Sequence, residues 1–252
     1  METTRFFEVL GDDYQRLLGV AVGDHLGAKV PTCPDWTIAD LVEHVSMVYL
    51  HKVETMRLGA FPQPWPPEDL PPEAPADRLT RAYAALTAEF ARHSPESTVQ
   101  TWYEPDQTVG FWIRRMVHET VIHRVDGELA AGQSPTEVPD DVALDGIDEN
   151  LRAFLAYQVI QWPEEFAEAL AGCGGETLLV SAGGRAWLVE LRPGTVTVED
   201  ADPGTAADAT VSGSPSGVLL WLWRRADDSV VSLSGNPVVS GKLRDLQRIA
   251  TQ

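Results

Sequence analysis

Residues 118–123 read HETVIH. In the zinc-protease pattern H-E-x-x-H, two histidines four apart share one helix face and can hold one ion. Here Ile122 stands where the second histidine would be. On a helix, His118 and His123 would point about 140° apart, so they cannot share an ion. Glu119 and His123 are four apart and do share a face. The line continues through Trp112, Arg115, Glu119, His123 and Asp126, at successive spacings of three or four. Phe111, Val117, Val121, Ile122 and Val125 supply apolar flanks. A polar line inside a helical core costs free energy unless something pairs with it, and a metal ion would do so. A Glu and a His at this spacing are also common as solvated neighbours, so the pair alone does not make a site.

A third donor comes from an earlier stretch. His44 follows Leu41 and precedes Val48, on the face that its helix should bury. A histidine there serves either as a ligand or as a satisfied core residue. His51, seven residues on, shares that face but lies about 10 Å along the axis, too far for the same ion. His44 with Glu119 and His123 gives two imidazoles and one carboxylate. Three protein ligands with an open position are the pattern of a catalytic zinc site, and the set also suits nickel or iron. Asp126, one turn past His123, either orients its ring or is a surface residue. Arg114 or Arg115 either holds an acidic substrate or pairs with Glu119. His118 is read as a non-ligand. Cys33 and Cys173 are read as free thiols, with Cys33 as a small buried side chain rather than a reactive one.

Helices must position these groups. Residues 5–27 show helical apolar spacing through Phe6, Leu10, Tyr14, Leu17 and Leu18. Thr37 and Asp40 resemble a capping box, so a second helix should run from Ile38 to about Arg57. Residues 59–76 hold seven prolines and predict an extended crossover. Further helices are expected over 77–93 and over 108–131, the latter capped by Gly132. A fifth, over 139–158, should lead out of the bundle. Past residue 172 the apolar pattern alternates, with turn signals at Gly183-Gly184 and Pro193-Gly194. GVLLWLWRR reads as a short buried helix, DSVVSLSG as a strand and 237–250 as a closing helix. The expected architecture is a metal-binding four-helix bundle over 1–160, then a small α+β domain over 172–252.

The chain has 252 residues, with 38 acidic against 19 basic side chains and a net charge of −19. That balance excludes nucleic acid and anionic membrane as main partners, since both need a basic face. No signal peptide and no membrane span are read, and the protein is expected to be cytoplasmic, a monomer or weak dimer.

PTCPDWTIADLVEHV and FWIRRMVHETVIHRVDGELAAG resemble two signature segments of the mycothiol-dependent maleylpyruvate isomerase family of actinobacteria, DinB-like metal-binding four-helix bundles. VALDGIDENLRAFL looks like that family's linking helix. The stretch from ADATVSGSPSGVLLWLWRR onward looks like its C-terminal domain, which is similar to sterol-carrier-like folds. The resemblance implies that His44, Glu119 and His123 are the ligands of a divalent metal. It also implies that the open position receives the thiolate of mycothiol, or water when the thiol is absent. It further implies that an arginine of the C-terminal domain assists catalysis, Arg225 by position, with Arg224 beside it.

A divalent metal favours thiolate over thiol, so a bound cofactor thiol becomes a nucleophile. Attack on an electrophilic small molecule gives cis–trans isomerisation if the thiol is expelled again, or thiol S-transfer if the adduct persists. Two other readings are a metal-dependent hydrolase using bound water, and a non-catalytic protein that binds a metal or a small apolar ligand.

Overall fold

In the computed structural model, which describes residues 1–68 and 70–251, the chain forms two compact units, Met1–Thr136 and a second from Glu137 onward. The first is built on four helices: α1 (Thr3–Val20), α2 (Ile38–Leu58), α3 (Pro75–Phe90) and α4 (Val109–Ala130). α1 packs on α4, α4 on α2, and α2 on α3. The cap of α2 is the expected one. Thr37 accepts a hydrogen bond from the Asp40 amide, and the Asp40 carboxylate accepts one from the Thr37 amide. α4 ends where Gly132 adopts φ 73° and its amide reaches back to the Leu129 carbonyl, a left-handed stop that only glycine adopts without strain. The proline-rich crossover carries no helix or strand from Phe61 to Ala74 among the described residues; Asp69 lies outside them.

The helix expected over residues 5–27 ends early. α1 stops at Val20, and after a short 3-10 turn at Gly23–Gly27 the strands β1 (Lys29–Val30) and β2 (Cys33–Thr37) form an antiparallel hairpin. Gly23, at φ 56°, lets the chain turn away, and Pro31 and Pro34 forbid helix beyond it. The hairpin feeds straight into the cap of α2 and so fixes where that helix begins.

α4 is buried on every side, far beyond the single stripe that the sequence suggests. Arg115, His118, His123, Arg124, Asp126 and Glu128 all lie within it and are buried. Gly127 is where α1 comes closest: a Cβ there would stand 2.9 Å from Val20 Cγ2 and 3.2 Å from Leu17 Cδ1. Gly127→Ala must push α1 outward, and is expected to lower stability by about 1–3 kcal/mol in urea unfolding. An unchanged midpoint would show that α1 shifts freely.

The second unit begins earlier than the expected 160–172 boundary. A helix running Asp140–Gln161, as α5 (Asp140–Glu149), a π-helical stretch (Asn150–Ala156) and α6 (Tyr157–Gln161), belongs to it. The reason is specific. Asp148 accepts from the Trp187 indole at 3.1 Å, and Arg152 donates to the Val198 carbonyl at 2.7 Å. α7 (Pro163–Leu170) follows, unanticipated. Then come β3 (Glu176–Ala182), β4 (Arg185–Arg192), β5 (Thr195–Ala201), β6 (Ala209–Gly213), α8 (Pro215–Leu222), β7 (Val231–Gly235) and α9 (Pro237–Ala250). The sheet order is β5-β4-β3-β6-β7, with β3 and β6 parallel and the other pairs antiparallel. Both glycine turns join antiparallel neighbours, as their sequence predicts. No helix among the described residues is long and apolar enough to cross a membrane.

Candidate metal centre

α2 and α4 run antiparallel through the first unit and bring three donors together. His44 Nε2 lies 3.1 Å from Glu119 Oε1, and His123 Nε2 lies 3.3 Å from that same oxygen. Donor atoms of all three residues fall within 4.8 Å of one another. Two ring nitrogens facing one carboxylate oxygen call for positive charge between them, and either a proton or a divalent cation meets that need. The donor set, two imidazoles and a carboxylate, suits the cation.

What surrounds the triple holds each donor in place. His123 Nδ1 is bonded to Asp126 Oδ2 at 3.0 Å, which leaves Nε2 to face Glu119. Asp126 is fully buried, and Thr32 donates to its other oxygen at 2.5 Å. Arg115 Nη2 donates to Glu119 Oε2 at 2.7 Å, so the guanidinium occupies one oxygen and Oε1 is left for the histidines. Of the two roles considered for Arg115, the pairing with Glu119 is formed in this structure. Trp36, from β2, lies against His44 with ring centroids 4.8 Å apart and stands 6.3 Å from His123. His44 is the open side: 36% of its side chain is exposed, against 11% for His123.

The charges are strongly coupled. Burial opposes the Glu119 carboxylate, but the charge of His123, hydrogen bonds from His123 and His44, and the Arg115 guanidinium outweigh it and hold the carboxyl well below its usual range. Burial likewise opposes a charged His123. Glu119 and Asp126 win, and push the ring up to about 9. A site that stabilises a cation this firmly on a buried imidazole is one where a metal can take the proton's place.

The other candidates fall elsewhere. His118 is buried edge-on to Phe6, on the side of α4 that faces α1. His51 stands beside Phe61 and Trp65. Cys33, half-buried rather than buried as expected, and the buried Cys173 form no disulfide. Arg224 and Arg225 lie in the second unit and not on a helix, as WLWRR had suggested. α8 ends at Leu222, Arg224 takes a left-handed φ of 60°, and the Arg225 amide bonds back to the Leu220 carbonyl. Arg225 Nη1 donates to the Trp223 carbonyl at 2.8 Å. Thr32 and Trp36 escaped the sequence reading. Their only local signal is the proline-flanked stretch ahead of the cap.

Comparison with known proteins gives a consistent picture. The Mycothiol maleylpyruvate isomerase N-terminal domain matches residues 7–128, and the MDMPI C-terminal domain matches residues 141–248. Crystal structures of the mycothiol-dependent maleylpyruvate isomerase and of a point mutant of it each show 18% identity to this chain and cover 93% of both chains, with TM-scores of 0.60. They show the shared fold. No curated protein matches the chain. With both domain families matched in order along its length, the chain belongs to the mycothiol maleylpyruvate isomerase family.

Proposed function

We propose that this protein is a metal-supported, mycothiol-dependent enzyme acting on a small electrophilic molecule, by isomerisation or by S-transfer. The convergence of His44, Glu119 and His123 on one point, in a chain of this family, carries the reading. Bound there, a divalent ion, zinc by donor chemistry with nickel or iron as alternatives, supplies the charge that keeps a thiol ionised at neutral pH for attack on an electrophilic carbon.

The protein's own residues prepare that chemistry. Asp126, itself held by Thr32, fixes the ring of His123 so that Nε2 faces inward. Arg115 acts through Glu119, keeping it a carboxylate and aiming Oε1. Trp36 shields one face of both imidazoles from water, while the exposed edge of His44 admits a ligand. The cytoplasm, where low-molecular-weight thiols stay reduced, is the matching compartment.

The deciding experiment assays metal-loaded protein against activated cis-alkenes, with and without mycothiol. Turnover that needs the thiol is expected. Turnover indifferent to it would overturn the thiol reading. Arg225 is proposed as the contribution of the second unit. Arg225→Gln should cut turnover about tenfold or more with metal content unchanged, as loss of a charged hydrogen bond to a substrate would. Full activity in both Arg225→Gln and Arg224→Gln would remove that unit from catalysis.

A further inference from the structure

The second unit holds a contact between two unlike nucleophiles. The chain has only two cysteines and three lysines, and one of each meets: Lys242 Nζ donates to Cys173 Sγ at 3.1 Å. Cys173 lies in the turn between α7 and β3, and Lys242 lies on α9, 69 residues further along the chain. Among the described residues no carboxylate contacts Lys242, although the chain has 38 acids against 19 basic residues. Glu176 reaches it only through its charge. The thiol therefore stands where an acid would be the ordinary partner.

Cys173 is buried, but its neighbours Gly172 and Gly174 are exposed and carry no side chain to shield the sulfur. A small oxidant is thus not screened by the turn's own side chains. Lys242 is raised above its ordinary value by the hydrogen bond to Cys173 first, and by the charges of Cys173 and Glu176, against burial. The contact serves two states of the sulfur. Beside a thiolate, the ammonium is a counter-charge. Beside a sulfenic acid that charge is gone, and the amine faces an electrophilic sulfur at bonding range.

We propose that Cys173 and Lys242 form a redox-sensitive switch, in which hydrogen peroxide joins Sγ to Nζ and a low-molecular-weight thiol parts them again. In the first step the sulfur attacks peroxide. An S–O bond forms, the O–O bond breaks, and one water leaves a sulfenic acid behind. In the second step the lone pair of Nζ attacks that sulfur. The S–N bond forms, the S–O bond breaks, and the hydroxyl leaves with an amine proton as a second water. Sulfur gives up two electrons and peroxide takes them. Two thiols return the pair to thiol and amine and leave as their disulfide. The bond closes one loop around all five strands from β3 to β7, and closing so long a loop restricts the unfolded chain. Oxidant should therefore make the second unit harder to unfold. The inference rests on neither the metal nor the thiol chemistry of the first unit.

The full chain carrying Cys33→Ser, which leaves a single thiol, is treated with hydrogen peroxide and mapped by mass spectrometry of tryptic peptides without reduction. The peptide holding Cys173 should appear joined to the one holding Lys242, two hydrogens lighter than their sum, with no cleavage after Lys242. Dithiothreitol should separate them. Lys242→Arg keeps the positive charge but lacks the amine, so its Cys173 should gain oxygen and form no link. The urea midpoint of the linked protein should rise and fall back on reduction. A link that retains one oxygen between the two atoms is one peroxide further oxidised, still depends on both residues, and supports the switch. Cys173 that gains oxygen without joining Lys242, Cys173 that stays a thiol, or the same link in Lys242→Arg would each overturn the proposal. A link that leaves the midpoint unmoved would overturn the locking of the second unit. If Lys242→Arg does not fold, the joined peptide from the Cys33→Ser chain decides.

Discussion

Purified His44→Ala and His123→Ala proteins are expected to contain no stoichiometric divalent metal by elemental analysis, while His51→Ala and His118→Ala keep one ion per chain. The four histidines differ in surroundings, not in type. His44 and His123 reach one oxygen of Glu119 at 3.1 and 3.3 Å, whereas His51 stands among Phe61 and Trp65 and His118 against Phe6. With only three protein donors, losing one leaves two, too few for a tight site. Asp126→Asn should be milder. It keeps the shape but weakens the hold on His123 Nδ1, and outer partners of this kind are worth about 10–100-fold in metal affinity. Full occupancy in His44→Ala would sink the ligand assignment.

Arg124→Met should lower stability by about 3–5 kcal/mol, read from urea unfolding of the full chain, because it breaks a buried ion cluster on one side only. Arg124 is 1% exposed. It donates to Asp13 of α1 at 2.6 Å, to Glu128 at 2.9 Å and to the Thr136 carbonyl at 2.6 Å. Removing it leaves two buried carboxylates facing each other. Asp13 already titrates above its ordinary 3.8, since burial outweighs the Arg124 charge, and loss of that charge raises it further. The sign follows. A carboxyl with a raised native pKa binds protons more readily when folded, so its share of stability is greatest at low pH and is lost as pH rises through the native value. The deficit of Arg124→Met against the parent should therefore shrink as pH falls toward 3.8. A deficit below about 1 kcal/mol at neutral pH would show the cluster to be dispensable.

The local features were legible in the sequence because their causes are local. Four-residue spacing puts Glu119 and His123 on one face whatever surrounds them. Thr37 and Asp40 close a capping box within a single turn, and Gly183-Gly184 turns the chain between β3 and β4 without help from elsewhere. The apolar face of α2 marked His44 as a candidate third donor, and the structure brings its ring to Glu119. The signature segments identified the family.

What only the tertiary structure decided depends on partners distant along the chain. Apolar periodicity says that a helix buries a face but not against what. The helix expected over 139–158 therefore reads as leading out of the bundle, with the boundary placed past residue 160, until Asp148 and Arg152 are seen bonded to the sheet of the second unit. β6 is short, and its strand state comes from parallel pairing with β3 across some thirty residues of chain. Arg124 carries no sequence signal, and its partner Asp13 stands 111 residues away along the chain. Asp126 could hold the His123 ring or face water, and the fold buries it against both His123 and Thr32. Trp36 sits in a signature segment, but its spacing gave it no role; it came to lie against His44 only when the hairpin folded beside α2 and α4, since the energy of a ring depends on what shares its space rather than on its place in the sequence.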